Sequence, residues 1–190
     1  MALDITPATI NTLEKLSDET KTTNFLNQLL HHTLITTNFD QLKFHAAASK
    51  QLQWHNKSST STHLISSPYN EPPHLLDLSR LDIQSTLLSL ALTSFKPLRD
   101  DYATASYLDS FNWQEVFNLL KAYSEAEGHV WTAQTFYVVE FRSILKTGVD
   151  QDYLHALDAY SHQEATTSGG LLKYWFGTKN EKRQNLATFV

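Results

Sequence analysis

Residues 135–146 read TFYVVEFRSILK, residues 168–177 read SGGLLKYWFG and residues 185–190 read NLATFV. Between the first two lies a run of helical composition, opened by Asp150 and closed by Gly169 and Gly170. The order is strand, helix, strand, turn, strand. Side chains alternate across a strand, so Tyr137, Val139, Phe141 and Leu145 fall on one face. Phe136, Val138, Glu140, Arg142 and Ile144 fall on the other. In the next strand Leu172, Tyr174 and Phe176 share a face opposite Leu171, Lys173 and Trp175. The intervening helix is predicted to pack through Tyr153, Leu154, Leu157 and Tyr160. TKNEKRQ, residues 178–184, reads as a charged hairpin turn.

One helix covers one face of such a sheet. The apolar Val139/Phe141 face is its natural partner. The opposite face carries Glu140, Arg142, Lys173 and Trp175. Charges at strand centres beside large aromatics need partners when covered, so this face is expected to line a wet cavity or to meet solvent.

Outward from this unit, Asp109 or Ser110 opens a helix carrying Trp113, Val116, Phe117, Leu120 and Tyr123, which Gly128 ends. Asp82 caps an earlier helix with Ile83, Leu87, Leu90 and Ala91 on one face, and Pro97 stops it. The prolines of SSPYNEPPH, residues 66–74, hold the chain extended. Further upstream, Thr6 and Pro7 start a helical region that continues through Phe25, Leu26, Leu29, Leu30 and Leu34. The expected organisation is a helical segment over residues 1–56, a loop or linker over 57–73, and an α+β domain over 74–190.

Composition removes several function classes. The chain has 190 residues, 41% of them hydrophobic and 12% aromatic, which suffices for a packed core. A net charge of −5 and a pI near 5.9 leave no basic stripe for nucleic acid. No basic amphipathic helix points to a membrane surface. The absence of cysteine removes disulfides, thiolate nucleophiles and thiolate metal sites. No apolar run approaches the ~20 residues of a membrane helix, and no signal-peptide pattern opens the chain. A cytoplasmic protein is the expectation.

No G-x-G-x-x-G, phosphate-binding loop or G-x-S-x-G elbow is present. His155 and His162 are seven residues apart, not the four that a helical metal pair prefers. No cofactor and no metal are therefore expected. The candidate catalytic groups are Glu140, Arg142 and Lys173, whose enclosure in a cavity would tune their pKa values. His162 joins them, with Asp158 one turn earlier to orient it. The plainer alternatives are a solvated cross-strand charge pair and a surface pair on a helix. Trp175, Phe136, Trp131 and Tyr174 are the candidate substrate-binding wall.

The motifs SFNWQEVF (110–117), FYVVEFRSIL (136–145), LDAYSHQEA (157–165), SGGLLKYWFG (168–177) and NLATF (185–189) resemble an uncharacterised fungal protein family. More distantly, strand-helix-strand-strand in this order resembles the second half of a ferredoxin-like fold. Dimeric α/β-barrel proteins use that fold, among them cofactor-free monooxygenases and polyketide cyclases. The resemblance implies a pocket on the helix-free sheet face. The expected fold is α+β: a helical N-terminal half packed on a small, mostly antiparallel, ferredoxin-like sheet in the C-terminal half. The expected function is a cofactor-independent cyclase, isomerase or lyase acting on a hydrophobic small molecule in fungal secondary metabolism. A pericyclic cyclisation of the Diels-Alder kind is one version. The alternative is a non-catalytic module that binds a small molecule, a protein partner or a second copy of itself as a homodimer.

Overall fold

The computed structural model describes residues 1–6, 63–69 and 72–190. The helices expected between residues 7 and 56, and the loop at 57–62, lie outside the described residues. Within them the elements are β1 (Ala2–Ile5), β2 (His63–Leu64), β3 (Leu76–Asp77), α1 (Ile83–Ala91), α2 (Tyr107–Ser110), α3 (Trp113–Ala126), β4 (Gln134–Tyr137), β5 (Val139–Ile144), α4 (Gln151–Ser168), β6 (Tyr174–Phe176) and β7 (Gln184–Phe189). The fold is α+β, with small antiparallel sheets. Among the described residues no helix is long and apolar enough to cross a membrane.

The core is built by α1 and α3. Asp82 caps α1, its carboxylate accepting from the Ser85 N–H at 2.9 Å. Leu87, Leu88, Leu90 and Ala91 are fully buried against Val116, Leu119 and Leu120 of α3. Buried Asn112 ties the two helices together. Its side chain accepts from the Lys96 N–H and donates to the Ser94 carbonyl.

Three stretches differ from the sequence expectation. Residues 2–5 form a strand rather than part of a helical segment. Leu3 and Ile5 alternate with polar or small neighbours, and β1 pairs antiparallel with β4 in the register Leu3↔Phe136. The single strand expected over 135–146 is divided at Val138. Val138 is buried, and its N–H donates to the Met1 carbonyl at 2.7 Å. Upstream of the break β4 serves β1, and downstream β5 serves β7. Residues 64–67, expected as linker, are buried, and β2 pairs with β3.

The sheet that matters for the site has the order β5-β7-β6. β7 runs antiparallel to both neighbours, so α4 connects two parallel strands with β7 inserted between them. Arg183, at φ 62°, turns the chain into β7. One face of this sheet carries Trp175, Leu186 and Thr188, and it is sealed by the helical core. Trp175 meets Phe111 and Tyr102 edge-on at 5.1 and 5.2 Å. The opposite face carries Tyr174, Phe176, Ala187 and Phe189, and it takes α4.

Gly177 ends β6 where the Tyr102 ring crosses the chain. A Cβ there would lie 2.5 Å from two ring carbons of Tyr102 and overlap its hydroxyl. That hydroxyl donates to the Thr178 carbonyl at 3.0 Å, which pins the ring. We expect Gly177→Ala to destabilise by about 1–3 kcal/mol through overpacking. Denaturant melts check this, and an unchanged midpoint would contradict it.

Candidate functional site

α4 meets the sheet with a different side from the one its sequence suggests. Asp150 caps it, accepting from the Tyr153 N–H at 3.0 Å, and Gly169, at φ 88°, ends it. Tyr153, Leu154, Leu157 and Tyr160 are all exposed. The inward face consists of Asp158, Ala159, His162 and Ala165. The two alanines allow close approach, and polar contacts replace the expected leucine packing.

Those contacts converge on one carboxylate. Tyr69 donates its hydroxyl hydrogen to Asp158 Oδ2 at 2.5 Å, and Tyr174 donates to Oδ1 at 2.6 Å. Tyr69 is held in place by Ser67, whose Oγ accepts from the Tyr69 N–H and donates to the Tyr69 carbonyl. The Tyr174 N–H in turn donates to the Ser66 carbonyl at 2.9 Å. The extended, proline-bounded segment therefore lies along β6 and delivers a phenol to α4. Burial first, then the bond to Asp158, pushes both phenols far above their ordinary pKa. At neutral pH both are donors.

Behind this clamp, His74 Nδ1 and His162 Nδ1 stand 3.0 Å apart. One must donate and the other accept, so the pair carries a single shared proton there. His162 Nε2 is buried without a hydrogen-bond partner. Burial, then the facing His74, pushes the His162 pKa down to about 4, and Asp158 opposes this. The unfolded chain binds a proton at an ordinary histidine pKa of ~6.5, whereas the folded chain resists until about pH 4. Stability is therefore intact above pH 6.5 and falls as pH drops toward 4, by on the order of 3 kcal/mol. His162→Asn should flatten this window in a pH series of melts. An equal slope in wild type and variant would contradict the assignment.

Between α4 and the sheet lies a cavity of about 550 Å³. Leu145, Leu154, Phe176 and Ala187 give it apolar walls. His155, Asp158, Tyr174 and Lys179 give it polar ones. A half-apolar enclosure with a few convergent polar groups is the usual form of a small-molecule site. Among the described residues no group of three or more histidine or acidic side chains could hold a metal ion.

Of the candidate catalytic and substrate-binding residues named from the sequence, only Tyr174 lines this cavity. Glu140 and Arg142 form an ion pair on β5. Arg142 also donates to the carbonyls of Tyr102 and Ala105, which fastens the 101–105 turn to the sheet. It borders a separate, shallower depression with Ala103, Thr104 and Ser106. Lys173 is buried just before β6, where desolvation holds its ammonium pKa down to about 7. β7 separates β5 from β6, so Lys173 does not join Glu140 and Arg142 across neighbouring strands. Trp175, Phe136 and Trp131 belong to the main core, and the Trp131 indole donates to the Ile5 carbonyl. His162 is buried beside the clamp.

Sequence reasoning passed over Tyr69 and His74 altogether. The available signal was an aromatic and a histidine set among Pro68, Pro72 and Pro73, each of which fixes its own φ.

Residues 65–190 match the PB2B2.08-like family. The UPF0643 protein PB2B2.08 of Schizosaccharomyces pombe is 40% identical over 141 residues, which is 70% of this chain and 64% of the relative. This chain thus spans less than two thirds of that relative's length. No solved structure matches. With most of the sheet, α4 and the clamp inside the matched region, the chain belongs to the PB2B2.08-like family of fungal proteins.

Proposed function

We propose that this protein is a cofactor-independent enzyme that moves a proton on a hydrophobic small molecule held in the cavity beneath α4. The observation that carries this reading is the group Asp158, Tyr174 and His155 beside the apolar surface of Leu145, Leu154, Phe176 and Ala187. His155 is the proton carrier, because it is the imidazole on the cavity wall and a neutral imidazole has one nitrogen that accepts and one that donates. Tyr174, kept protonated by burial, donates its one hydroxyl hydrogen to Asp158 and so fixes the carboxylate at the cavity wall. An isomerisation or elimination fits this equipment. The proton taken from one carbon returns to another atom of the substrate or leaves with the departing group, so no oxidant or reductant is needed. A pericyclic cyclisation asks only for a shaped apolar enclosure, and the polar walls favour proton transfer over it.

The strand order β5-β7-β6, with α4 joining the outer strands, supports a ferredoxin-like reading of this half-sheet. The cavity lies on the helix side of that sheet. In the resemblance described above, the pocket occupies the helix-free side.

The reading is tested in the source fungus by metabolite profiling of a gene deletion complemented with wild type or with His155→Ala. The expected result is one hydrophobic metabolite that accumulates in the deletion and in the His155→Ala strain, and disappears with wild type. Full complementation by His155→Ala would refute the proton-transfer role. Small-molecule binding without any accumulating precursor would favour a carrier over an enzyme.

A further inference from the structure

We infer that the ligand of this cavity is a hydrophobic amine, bound in its protonated form with the ammonium group on the Asp158 carboxylate. The inference rests on the reading of the cavity as the substrate site and narrows it to a ligand class.

The argument starts from an uncompensated charge. Asp158 lies half-buried at the cavity wall. A carboxylate offers about four lone-pair positions, and the two phenols occupy two of them. Hydrogen bonds alone leave a partly desolvated anion without a countercharge, which is costly unless a cation pairs with it. Among the described residues no lysine, arginine or histidine makes an ion pair with Asp158; the ion pairs present lie elsewhere. Lys179 is the one lysine that lines the cavity, and it is solvent-exposed. His162, one turn along α4 from Asp158, stays neutral across the physiological range.

The surroundings favour an organic cation over a bare ion. Tyr69, Tyr174 and Phe176 form a three-ring group, with centroids 5.7 to 6.4 Å apart. Ring faces attract ammonium groups, most strongly away from water. Leu145, Leu154 and Ala187 add apolar surface to the cavity wall, where a hydrocarbon body would sit. An ammonium supplies both the missing charge and the donors that the remaining carboxylate lone pairs can accept. A carboxylic acid ligand would face Asp158 with like charge.

Isothermal titration of the full chain with naphthylethylamine, naphthylethanol and naphthylacetate tests the inference. The three share one hydrocarbon body and differ in the charge of the polar group. The amine should bind at least about tenfold tighter than the alcohol, and the acid should bind weakest. Asp158→Asn should abolish the preference for the amine over the alcohol. The wild-type ranking needs no variant, so it remains decisive if Asp158→Asn does not fold. Equal affinity for amine and alcohol, or a preference that survives in Asp158→Asn, would overturn the amine assignment and leave the cavity reading standing. Failure of all three probes to bind folded protein would overturn both.

Discussion

Lys173→Met should make the protein more stable at pH 7, by on the order of 4 kcal/mol. The side chain is fully buried, and desolvation lowers its pKa from 10.5 to about 7. In the unfolded chain the amine stays protonated up to its ordinary value. Between pH 7 and 10 the unfolded state therefore binds more protons than the folded state, and wild-type stability rises with pH across that window. Methionine fills a similar volume with no charge to desolvate, so the variant should lose this slope while gaining stability at neutral pH. The window closes near pH 10 for a separate reason. Burial raises the phenol pKa values of Tyr69, Tyr107, Tyr123 and Tyr174, so their stabilising contribution is complete below 10 and is lost as pH climbs beyond it. Chemical denaturation at pH 7 and pH 9.5 measures both effects. A variant less stable than wild type at pH 7 would mean that the amine contributes more through its contacts than its burial costs.

Trp175→Ala should cost about 3–5 kcal/mol, the range for truncating a buried aromatic ring. Trp175 is among the largest fully buried side chains, ringed by Phe95, Tyr102 and Phe111. Total stability of a domain this size is typically ~5–15 kcal/mol, so the variant should sit at the edge of folding at 37 °C. A residue lining a ligand pocket would behave differently: its loss would weaken binding and leave the melting point nearly unchanged. That second pattern would contradict the placement of Trp175 in the core.

These two residues show how far the sequence can be read. Alternation assigned Trp175 and Tyr174 correctly to opposite faces of β6, because a strand has only two sides. It could not say which face the helical core would seal. That choice depends on α1, α3 and the 95–111 segment arriving over Trp175, a long-range packing outcome with no local signature. The helix from Asp150 to Gly169 was legible from its cap and its glycines. Its inward side was not, because Asp158, Ala159, His162 and Ala165 look like a solvent face until Tyr69 and Tyr174 arrive to satisfy the carboxylate. The Asp158–His162 spacing was visible in the sequence. Its partners were not, since Tyr69 and His74 are contributed by a segment 84 or more residues away in the chain. Glu140 and Arg142 were correctly placed together on one face, and the structure adds the carbonyls of Tyr102 and Ala105 that hold the guanidinium.

The central claim is that the space between α4 and the β5-β7-β6 sheet holds a ligand anchored on Asp158. An amide-resolved NMR titration with naphthylethylamine tests it most directly. Saturable shifts should centre on His155, Asp158, Tyr174 and Phe176, and in Asp158→Asn they should need at least about tenfold more ligand. Shifts confined to the depression around Arg142 and Ala103–Ser106, or no saturable shifts on either side of the sheet, would contradict it.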